Sequence, residues 1–316
     1  MIVIMIGLNA VRTLLITGTN GFVGRSIIDQ IARMEPYDLP QELFLVTRQG
    51  LDFNLPTNLK HITTVLNYDL TQKWKFDFYV SHVINLAADG SRSSYSASAN
   101  ETFTSIVSNL VSWISSLQRF PRVFHASSGV CSGFRPLSGS NSPHNPKSSF
   151  AQNRYEAELE LKRASKDLGF ELSIGRLFTF SGVHLLRKDQ YAISAFIKSA
   201  ISSKVIRILG DPNTVRSYLH QDAMASWILQ SLICKNPHTI LEIGSCEEVT
   251  IRELAEFVAQ ETSAPISFSA KYQSGDIYVA NNRETRDRLG VSEGLHWKLA
   301  VKEMIDAERK NYHGHS

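Results

Sequence analysis

Three glycines near the start of the chain have the spacing of a phosphate-binding loop. Gly18, Gly21 and Gly24 follow the apolar run TLLIT directly and precede a helical pattern. Glycine at these positions permits a tight turn, lets the backbone approach a pyrophosphate, and allows close packing of helix on strand. The helix start adds N–H donors and the positive end of its dipole. The loop therefore predicts a dinucleotide site. Its other assigned residues are Asn20, Phe22 and Val23.

The residue after the second apolar run indicates which dinucleotide the loop would bind. A carboxylate there would accept hydrogen bonds from the ribose hydroxyls of NAD, but the run LFLVT is followed by Arg48. A guanidinium suits the 2′-phosphate of NADP, because its paired donors match phosphate oxygens. We therefore predict NADP as the cofactor, with NAD as the alternative. A solvated surface position without function is the other interpretation of Arg48.

Short apolar runs alternate with helical patterns through the first half of the chain. This alternation is typical of βαβ units around a parallel sheet covered on both faces. The predicted strands are TLLIT (13–17), LFLVT (43–47), ITTVL (62–66), VINLA (83–87), VFHAS (123–127), LSIGRLF (172–178) and ILEIG (240–244). The predicted helices include GRSIIDQIARM, ETFTSIVSNLVSWISSLQ, one that begins near Ser149, and a last one over 296–312. The fold class is α/β, with a Rossmann-like doubly wound sheet.

The alternation becomes irregular after about residue 178, which predicts a second, smaller lobe. We expect a dinucleotide-binding domain over 11–178, to which 216–245 returns, and a substrate-binding lobe formed mainly by 179–316. The segment SGSNSPHNPKSS (138–149) is too rich in Ser, Pro and Asn for regular structure. It is expected to form a surface loop at the mouth of the ligand crevice.

The composition is that of a globular protein of 316 residues, 43% hydrophobic and 20% charged. The net charge of +3 is dispersed, which argues against nucleic acid as a partner but leaves small acidic ligands open. Cys131, Cys234 and Cys246 lack zinc-site spacing, so we predict no metal and a reducing compartment. The start MIVIMIG lacks signal-peptide features and is interpreted as an extension, with Met5 as another start. No apolar run approaches the roughly 18 residues of a membrane span, so a cytoplasmic location without membrane contact is expected.

The loop TGTNGFVG resembles that of the extended short-chain dehydrogenase/reductase family, and the resemblance continues along nearly the whole chain. Segments 176–182, 210–229 and 243–258 are similar to those of nucleotide-sugar epimerases and dehydratases. The resemblance implies that Asp69 contacts adenine and that NLAA (85–88) lies beside the cofactor. Asn100, with Asn109 and Leu110, resembles the N…NLL helix of the family. The other cofactor contacts that the resemblance implies are Leu70, Leu86, Ala87 and Ala88.

The same resemblance identifies a gap in the catalytic residues. The family places a serine or threonine after the fifth strand and a YxxxK pair on the next helix. HASSGVCSG supplies Ser127 as the better match and Ser128 beside it, with a strand-end serine pair of no function as the alternative. In SSFAQNRYEAE, Phe150 occupies the tyrosine position and Arg154 the lysine position. Phenylalanine has no exchangeable proton, whereas arginine stays charged and could hold a ribose without acting as a base.

Other residues could carry the proton instead. Tyr155 lies five positions after Phe150, about 140° around a helix, and should therefore point away from the site. The remaining candidates near the predicted crevice are His125, Cys131, Asp89 and His144. Each of these has a structural or solvated role as its alternative.

Two arginines resemble family positions that hold a sugar nucleotide. They are Arg176 in RLFTFSG and Arg216 in VRSYLH. The guanidinium of Arg216 is suited to a pyrophosphate because it can bind two phosphate oxygens at once. The alternative for Arg216 is a structural ion pair with Asp211 or Asp222.

Two hypotheses of function follow. In the first, the chain is an NAD(P)-dependent epimerase, dehydratase or reductase of a nucleotide-activated sugar, with its proton transfer moved to another group or served by water. In the second, it is a catalytically inactive dinucleotide-binding regulatory or assembly protein. The resemblance also implies a homodimer through helices that include 148–168. The apolar stripe expected on that helix is Ala157, Leu161, Ala164 and Leu168.

Overall fold

The computed structural model describes residues 8–88, 96–133, 135–136, 148–187, 189–202, 205–235, 237, 239–269 and 275–313. The strands in chain order are β1 Thr13–Thr17, β2 Glu42–Thr47, β3 Thr63–Asn67, β4 His82–Asn85, β5 Arg122–Ser128, β6 Arg135–Pro136, β7 Leu172–Leu177, β8 Phe180–Ser181, β9 Ile206–Ile208, β10 Val215–Arg216, β11 Leu219–His220, β12 Thr239–Ile243, β13 Val249–Thr250, β14 Ile266–Phe268 and β15 Asp276–Tyr278. The α-helices are α1 Phe22–Ala32, α2 Ala97–Ser115, α3 Ser149–Leu168, α4 Ala192–Ser202, α5 Gln221–Ser231, α6 Ile251–Thr262, α7 Arg283–Leu289 and α8 Trp297–His313.

The central sheet has seven strands in the order β3, β2, β1, β4, β5, β7, β12, and every neighbouring pair is parallel. The chain builds outward from β1 in one direction and then in the other. This reversal creates a crevice between β1 and β4 at the carboxyl edge of the sheet, where doubly wound folds bind their ligands. The predicted fold class is confirmed, and all seven predicted strands are present with ends shifted by one or two residues.

Apolar side chains leave both faces of this sheet, because successive residues of a strand point to opposite sides. Leu14 and Ile16 face a core shared with α1 and α5. Leu15 faces the other way, into a core shared with α2 and α3. The five residues of β1 are all buried. The central strands are therefore covered on both sides, and only the carboxyl edge remains to form a site.

A third apolar core lies outside the central sheet and joins α4, α6 and α8. A four-stranded sheet in the order β13, β10, β15, β6 accompanies it. Strand β12 joins the central sheet, and α5 lies against the core that includes β1. The assignment of substrate binding to the smaller lobe stays a prediction. Among the described residues, no helix combines the length and apolar content that crossing a bilayer requires.

Helix α3 is limited by two local signals. The Ser148 hydroxyl accepts the Ala151 N–H at 3.1 Å, and Gly169 ends the helix in the left-handed region at φ 85°. The apolar stripe of this helix does not form a free surface, because Ala157 and Leu161 are buried in the core shared with α2. Ala164 and Leu168 pack against the same core. The stripe was therefore wrongly assigned to a dimer interface, and the dimer itself stays a prediction.

Other boundaries also differ from the predicted ones for local reasons. Strand β4 ends at Asn85, because the next two N–H groups, of Leu86 and Ala87, both donate to Thr17 Oγ1 at 3.1 Å. Helix α2 begins earlier than predicted, because the Ser96 hydroxyl caps it. The predicted surface loop falls outside the described residues as far as residue 147, as do residues 1–7, Asp89 and His144.

We expect Gly24→Ala to destabilise the fold. A Cβ at this position would lie 2.6 Å from both Gly18 O and Thr19 Cα, so the backbone of the loop would have to move. Overpacking of this kind costs about 1–3 kcal/mol, which thermal denaturation would detect. Gly210→Ala is the matched control, because a Cβ there meets nothing within 4 Å. Equal melting temperatures for the two variants would contradict the tight packing of the loop.

Candidate functional site

The glycine loop is packed too closely for side chains. Gly18 has φ +70°, and a Cβ on it would lie 2.8 Å from the carbonyl carbon and oxygen of Leu86. The Gly21 N–H donates to Gly18 O at 3.1 Å, which closes the turn. The loop is thereby pressed against the end of β4, and Thr17 Oγ1 binds the backbone of that end from the other side.

The start of α1 suits an anionic ligand. Gly21 is the N-cap and provides no side chain, and the first turn contains no acidic residue. The first N–H groups of a helix have no partner within the helix, and the helix dipole favours negative charge at this end. The backbone is bare here because Gly21 lacks a side chain, and the loop therefore fits the pyrophosphate of a dinucleotide.

The turn after β2 is tied to the glycine loop. Asn20 Nδ2 donates to Gly50 O at 2.8 Å, and Asn20 Oδ1 accepts the Asp52 N–H at 3.3 Å. Arg25 is buried, forms an ion pair with Asp52, and lies 4.3 Å from the ring centre of Phe53. Arg25 is not among the predicted site residues, although it directly follows the third glycine of the loop. The turn after β2 and the glycine loop are thus held together at one end of the crevice.

Arg48 and Asp69 lie at this same end. Arg48 is exposed directly after β2. Asp69 Oδ1 accepts the N–H of Thr71 at 3.0 Å and its hydroxyl at 2.8 Å. These hydrogen bonds, with a smaller contribution from the charge of Arg48, lower the pKa of Asp69. Asn109 on α2 donates to Leu70 O and Thr71 O at 3.2 and 2.8 Å and so fixes the turn.

The residues after β4 form the floor of the crevice. Ala87 is buried, Leu86 is partly buried and Ala88 is exposed. Phe22 and Val23 on α1 pack against the core beneath the glycine loop. The predicted cofactor residues from the loop, from the end of β2 and from the end of β4 therefore lie at the carboxyl ends of three neighbouring strands. Their roles toward a cofactor stay predictions.

Phe150 and Arg154 meet on one face of α3, one turn apart. The guanidinium carbon of Arg154 lies 4.7 Å from the ring centre of Phe150 and 3.3 Å from that of Phe103 on α2. Arg154 is only 6% exposed, so it is a buried cation against two aromatic rings. Tyr155 is 39% exposed, in keeping with the expectation that it points away from this pair. At this position the chain has a cation and an aromatic ring but no group that can release a proton.

A buried carboxylate lies one turn further along α3. Glu158 has no exposed surface, and it accepts hydrogen bonds from Arg176 Nε at 3.0 Å and Nη2 at 2.7 Å. The Ser127 hydroxyl donates to the same carboxylate at 2.6 Å. Arg176 Nη1 also lies 3.3 Å from Ser132 Oγ, which in turn donates to Glu242. We call these five residues the Glu158 network.

The Glu158 network corrects two expected roles. Arg176 was expected to hold substrate, but its guanidinium is bound on two nitrogens by Glu158 inside the protein. Ser127 was the better sequence match for the catalytic serine, yet its hydroxyl points inward to the same carboxylate. Ser128 is partly buried and its Oγ accepts the Val130 N–H at a long 3.4 Å. The hydroxyl that can face the crevice is therefore that of Ser128. Glu158, the second glutamate of YEAE, is not among the predicted site residues.

His125 lies deeper on β5 and belongs to a second polar chain. The Thr17 hydroxyl donates to Asn85 Oδ1 at 2.8 Å, and Asn85 Nδ2 lies 3.1 Å from His125 Nδ1. Burial, with the charge of Arg154, lowers the pKa of His125 to about 3. Its Nε2 has no hydrogen-bond partner among the described residues. The imidazole therefore stays neutral at ordinary pH and takes its position from packing.

Cys131 is also held in its neutral form. Burial, with the charge of Glu158, raises the pKa of its thiol to about 11. The sulfur lies 3.7 Å from both Ser127 Oγ and Ala151 O. Cys131 and His125, two of the proposed proton carriers, are thus poor acids and bases in this fold. The described residues also bring together no group of three or more His, Cys, Asp or Glu side chains that could hold a metal ion.

Arg216 lies in the smaller lobe and is only 23% exposed. Its Nη1 binds Asp276 Oδ1 at 2.5 Å, so its ion-pair partner is neither Asp211 nor Asp222. It also lies 5.8 Å from the ring centre of Tyr278, its register partner on the neighbouring strand β15. A role for Arg216 toward a pyrophosphate stays a prediction.

The family of the chain is shown by comparison with known proteins. Residues 14–244 match the model of the NAD dependent epimerase/dehydratase family. The chain belongs to this family, which confirms the resemblance found in the sequence.

Among curated relatives, UDP-glucuronic acid decarboxylase 1 of Danio rerio is 22% identical over 256 residues, which are 78% of this chain and 60% of that protein. The protein of the same name from Arabidopsis thaliana is 22% identical over 92% of this chain and 67% of its own length. This chain thus spans about 60% of the length of the Danio rerio relative.

Solved structures share the fold. A dTDP-glucose 4,6-dehydratase double mutant from Streptomyces venezuelae, with NAD bound, has a TM-score of 0.81 at 22% identity, with 95% of this chain and 98% of that chain covered. The corresponding enzyme of Bacillus anthracis, in complex with NAD, has a TM-score of 0.79 at 16% identity, with 96% and 98% covered. At these identities the similarity shows the fold alone.

We expect His125 to make the protein less stable in acid. Its pKa is about 3 in the folded chain and about 6.5 when unfolded, so the unfolded state binds the extra proton as the pH falls below about 6.5. Between about pH 7.5 and pH 5 this one group should lower the free energy of unfolding by about 2 kcal/mol. Urea denaturation of wild type and His125→Asn should therefore differ in pH dependence by that amount.

The control is His61→Asn, which changes an exposed histidine. This variant should keep the pH dependence of the wild type. A His125→Asn variant with an unchanged pH dependence would show that the buried imidazole is not held neutral.

Proposed function

We propose that this chain is an NAD(P)-dependent enzyme acting on a nucleotide-activated sugar, in which the α3 pair no longer transfers the proton. The observation that carries this proposal is the close packing of the glycine loop against the end of β4. Gly18 and Gly24 leave no room for a Cβ, and the bare start of α1 faces the crevice. The named relatives act on nucleotide sugars, which supports the substrate class.

The residues that would hold the cofactor fall into two halves. The glycine loop and α1 would bind the pyrophosphate, and Arg48 with Asp69 would receive the adenosine end. Ser128 and Arg154 would lie on the nicotinamide side, because β5 and α3 are on the β4 side of the switch point. When bound, a nicotinamide cofactor accepts or donates a hydride. Arg154 would hold its ribose through guanidinium donors, and Ser128 would orient the reacting oxygen of the substrate.

NADP is the cofactor that we favour, because Arg48 is exposed where a 2′-phosphate would lie. No carboxylate follows β2 directly, and Asp52, the acid of the next turn, is paired with Arg25. The solved relatives cited above contain NAD, so NAD is the alternative. Affinity for the two dinucleotides separates these cases directly.

One observation favours the second candidate, a catalytically inactive dinucleotide binder. Phe150 and Arg154 form a contact of their own, with the guanidinium against the aromatic ring at 4.7 Å. Arg154 keeps the cation of the pair, and the Phe150 ring packs on it without providing a hydroxyl. Such a site can bind a dinucleotide and yet lack turnover. Such a protein would act through a partner that senses the bound dinucleotide.

Arg48→Gln should weaken the binding of NADPH by about tenfold and leave that of NADH nearly unchanged. The loss corresponds to one charge-assisted hydrogen bond at an exposed site. Isothermal titration calorimetry of both dinucleotides measures it. Arg12→Gln is the matched control, because Arg12 is an exposed arginine directly before the amino end of β1. Equal losses for both dinucleotides would assign NAD rather than NADP.

The two candidate functions are separated by turnover of the wild-type protein. At saturating NADPH or NAD(P), a panel of UDP- and dTDP-linked sugars should change the absorbance of the nicotinamide or yield a new sugar nucleotide. Phe150→Tyr, which places a phenol beside Arg154, should raise this turnover or leave it unchanged. Tight binding of a dinucleotide without any turnover across the panel would favour the inactive binder.

A further inference from the structure

The α3 side of the crevice lacks a proton carrier among its described residues. Phe150 has no ionisable group, and Arg154 remains charged at any ordinary pH. The Ser127 hydroxyl donates a hydrogen bond to the buried Glu158 at 2.6 Å, so this hydroxyl faces the interior. This side can therefore hold a ligand, but the acid or base of the reaction must come from elsewhere.

The other proposed carriers near β5 are also unsuitable. His125 is fully buried beneath the site with its pKa lowered to about 3. The pKa of the Cys131 thiol is raised to about 11 by burial. Asp89 and His144 lie outside the described residues.

One phenol reaches the serine segment from the smaller lobe. Tyr278 ends β15, and a Cβ placed on Gly129 would lie 2.6 Å from Tyr278 Oη. The phenol oxygen therefore rests against the backbone of the residue directly after Ser128. Its ring stacks on Phe178 with centres 4.8 Å apart, and its hydroxyl donates a long hydrogen bond to Leu177 O at 3.4 Å. Tyr278 is 8% exposed, and these contacts hold its phenol at the carboxyl ends of β5 and β7.

A cation accompanies this phenol. Arg216 is the register partner of Tyr278 on β10, and its guanidinium lies 5.8 Å from the Tyr278 ring. The smaller lobe thus brings a phenol to the segment that contains Ser128, and the guanidinium beside this phenol is itself paired with Asp276 Oδ1 at 2.5 Å. These are the kinds of group that α3 would combine if position 150 were a tyrosine. Gly129 makes the approach possible, because any larger residue would exclude the phenol.

We infer that Tyr278 is the proton carrier of the reaction in place of residue 150, an inference that rests on the proposed enzymatic function. In the reducing direction, a bound reduced nicotinamide would supply the hydride for the carbonyl carbon of the substrate, and the Tyr278 hydroxyl would give its proton to the carbonyl oxygen. The electron pair of the broken O–H bond stays on the phenolate oxygen, and water returns a proton to it. Ser128 donates a hydrogen bond to the same substrate oxygen. The oxidising direction reverses these steps.

Tyr278→Phe tests this inference, and Tyr155→Phe is the matched control that removes an exposed phenol from α3. Loss of a general acid–base group should lower kcat by about 100-fold in Tyr278→Phe only. NADPH affinity, measured by calorimetry, should stay within about twofold of the wild-type value. Affinity for the sugar nucleotide in the absence of cofactor should fall, because a hydrogen bond to the sugar is lost. The pH dependence of the residual rate should also lose the ionisation of the carrier.

The outcomes separate this inference from the proposed function. Wild-type turnover that Tyr278→Phe leaves within about twofold would overturn the role of Tyr278 and keep the enzyme. No wild-type turnover with any sugar nucleotide would overturn the enzymatic function, and the inference with it. If Tyr278→Phe does not fold, Gly129→Ala decides, because its Cβ would lie 2.6 Å from Tyr278 Oη and 2.8 Å from the ring of Phe178 and so would move the phenol while keeping it in the chain. Full turnover in Gly129→Ala would then exclude Tyr278.

Discussion

The buried carboxylate of Glu158 determines how the candidate site is arranged. An ionised carboxylate with no exposed surface is costly unless donors surround it, and here it receives two bonds from Arg176 and one from Ser127. These bonds connect α3 to β5 and β7 at their carboxyl ends. The helix that carries Phe150 and Arg154 is thus fixed relative to the serine segment. Because both groups donate to Glu158, the Ser127 hydroxyl and the Arg176 guanidinium point into the protein.

The charge of Arg154 is stabilised in a different way. Aromatic rings approach it at 3.3 and 4.7 Å, and a ring face attracts a cation through its quadrupole. A tyrosine at position 150 could offer the same face, so the cation does not explain why the hydroxyl is missing. What the contact does explain is how a buried arginine is tolerated at the lysine position. Position 154 of this chain thus keeps a cation, whereas position 150 lacks the hydroxyl that the YxxxK pair provides.

The sequence was sufficient for features that depend on local patterns. The seven strands of the central sheet follow from short continuous apolar runs, and the glycine turn follows from the spacing of its glycines. The meeting of Phe150 with Arg154 follows from the helical repeat of about 3.6 residues. The Glu158 network was not predictable in this way, because its hydrogen bonds join residues between 18 and 110 positions apart. The inward direction of Ser127 follows from that network. The periodicity of α3 correctly predicts an apolar stripe on this helix. Periodicity does not show whether that stripe packs on the chain's own core or on a partner chain.

Tyr278 illustrates why a missing residue does not establish a missing function. The site lies where two lobes meet, and groups can enter it from either one. The glycine loop and Ser128 come from the central sheet, whereas Tyr278 and Arg216 come from a separate four-stranded sheet.

A phenol on β15 has no fixed sequence distance from the serine segment that it touches, so a motif confined to one helix cannot detect it. Gly129 is the one local sign of this contact in the serine segment, because a Cβ directly after Ser128 would lie 2.6 Å from the phenol oxygen. The inference that Tyr278 carries the proton therefore depends on the contact between Gly129 and Tyr278, which no motif confined to α3 contains.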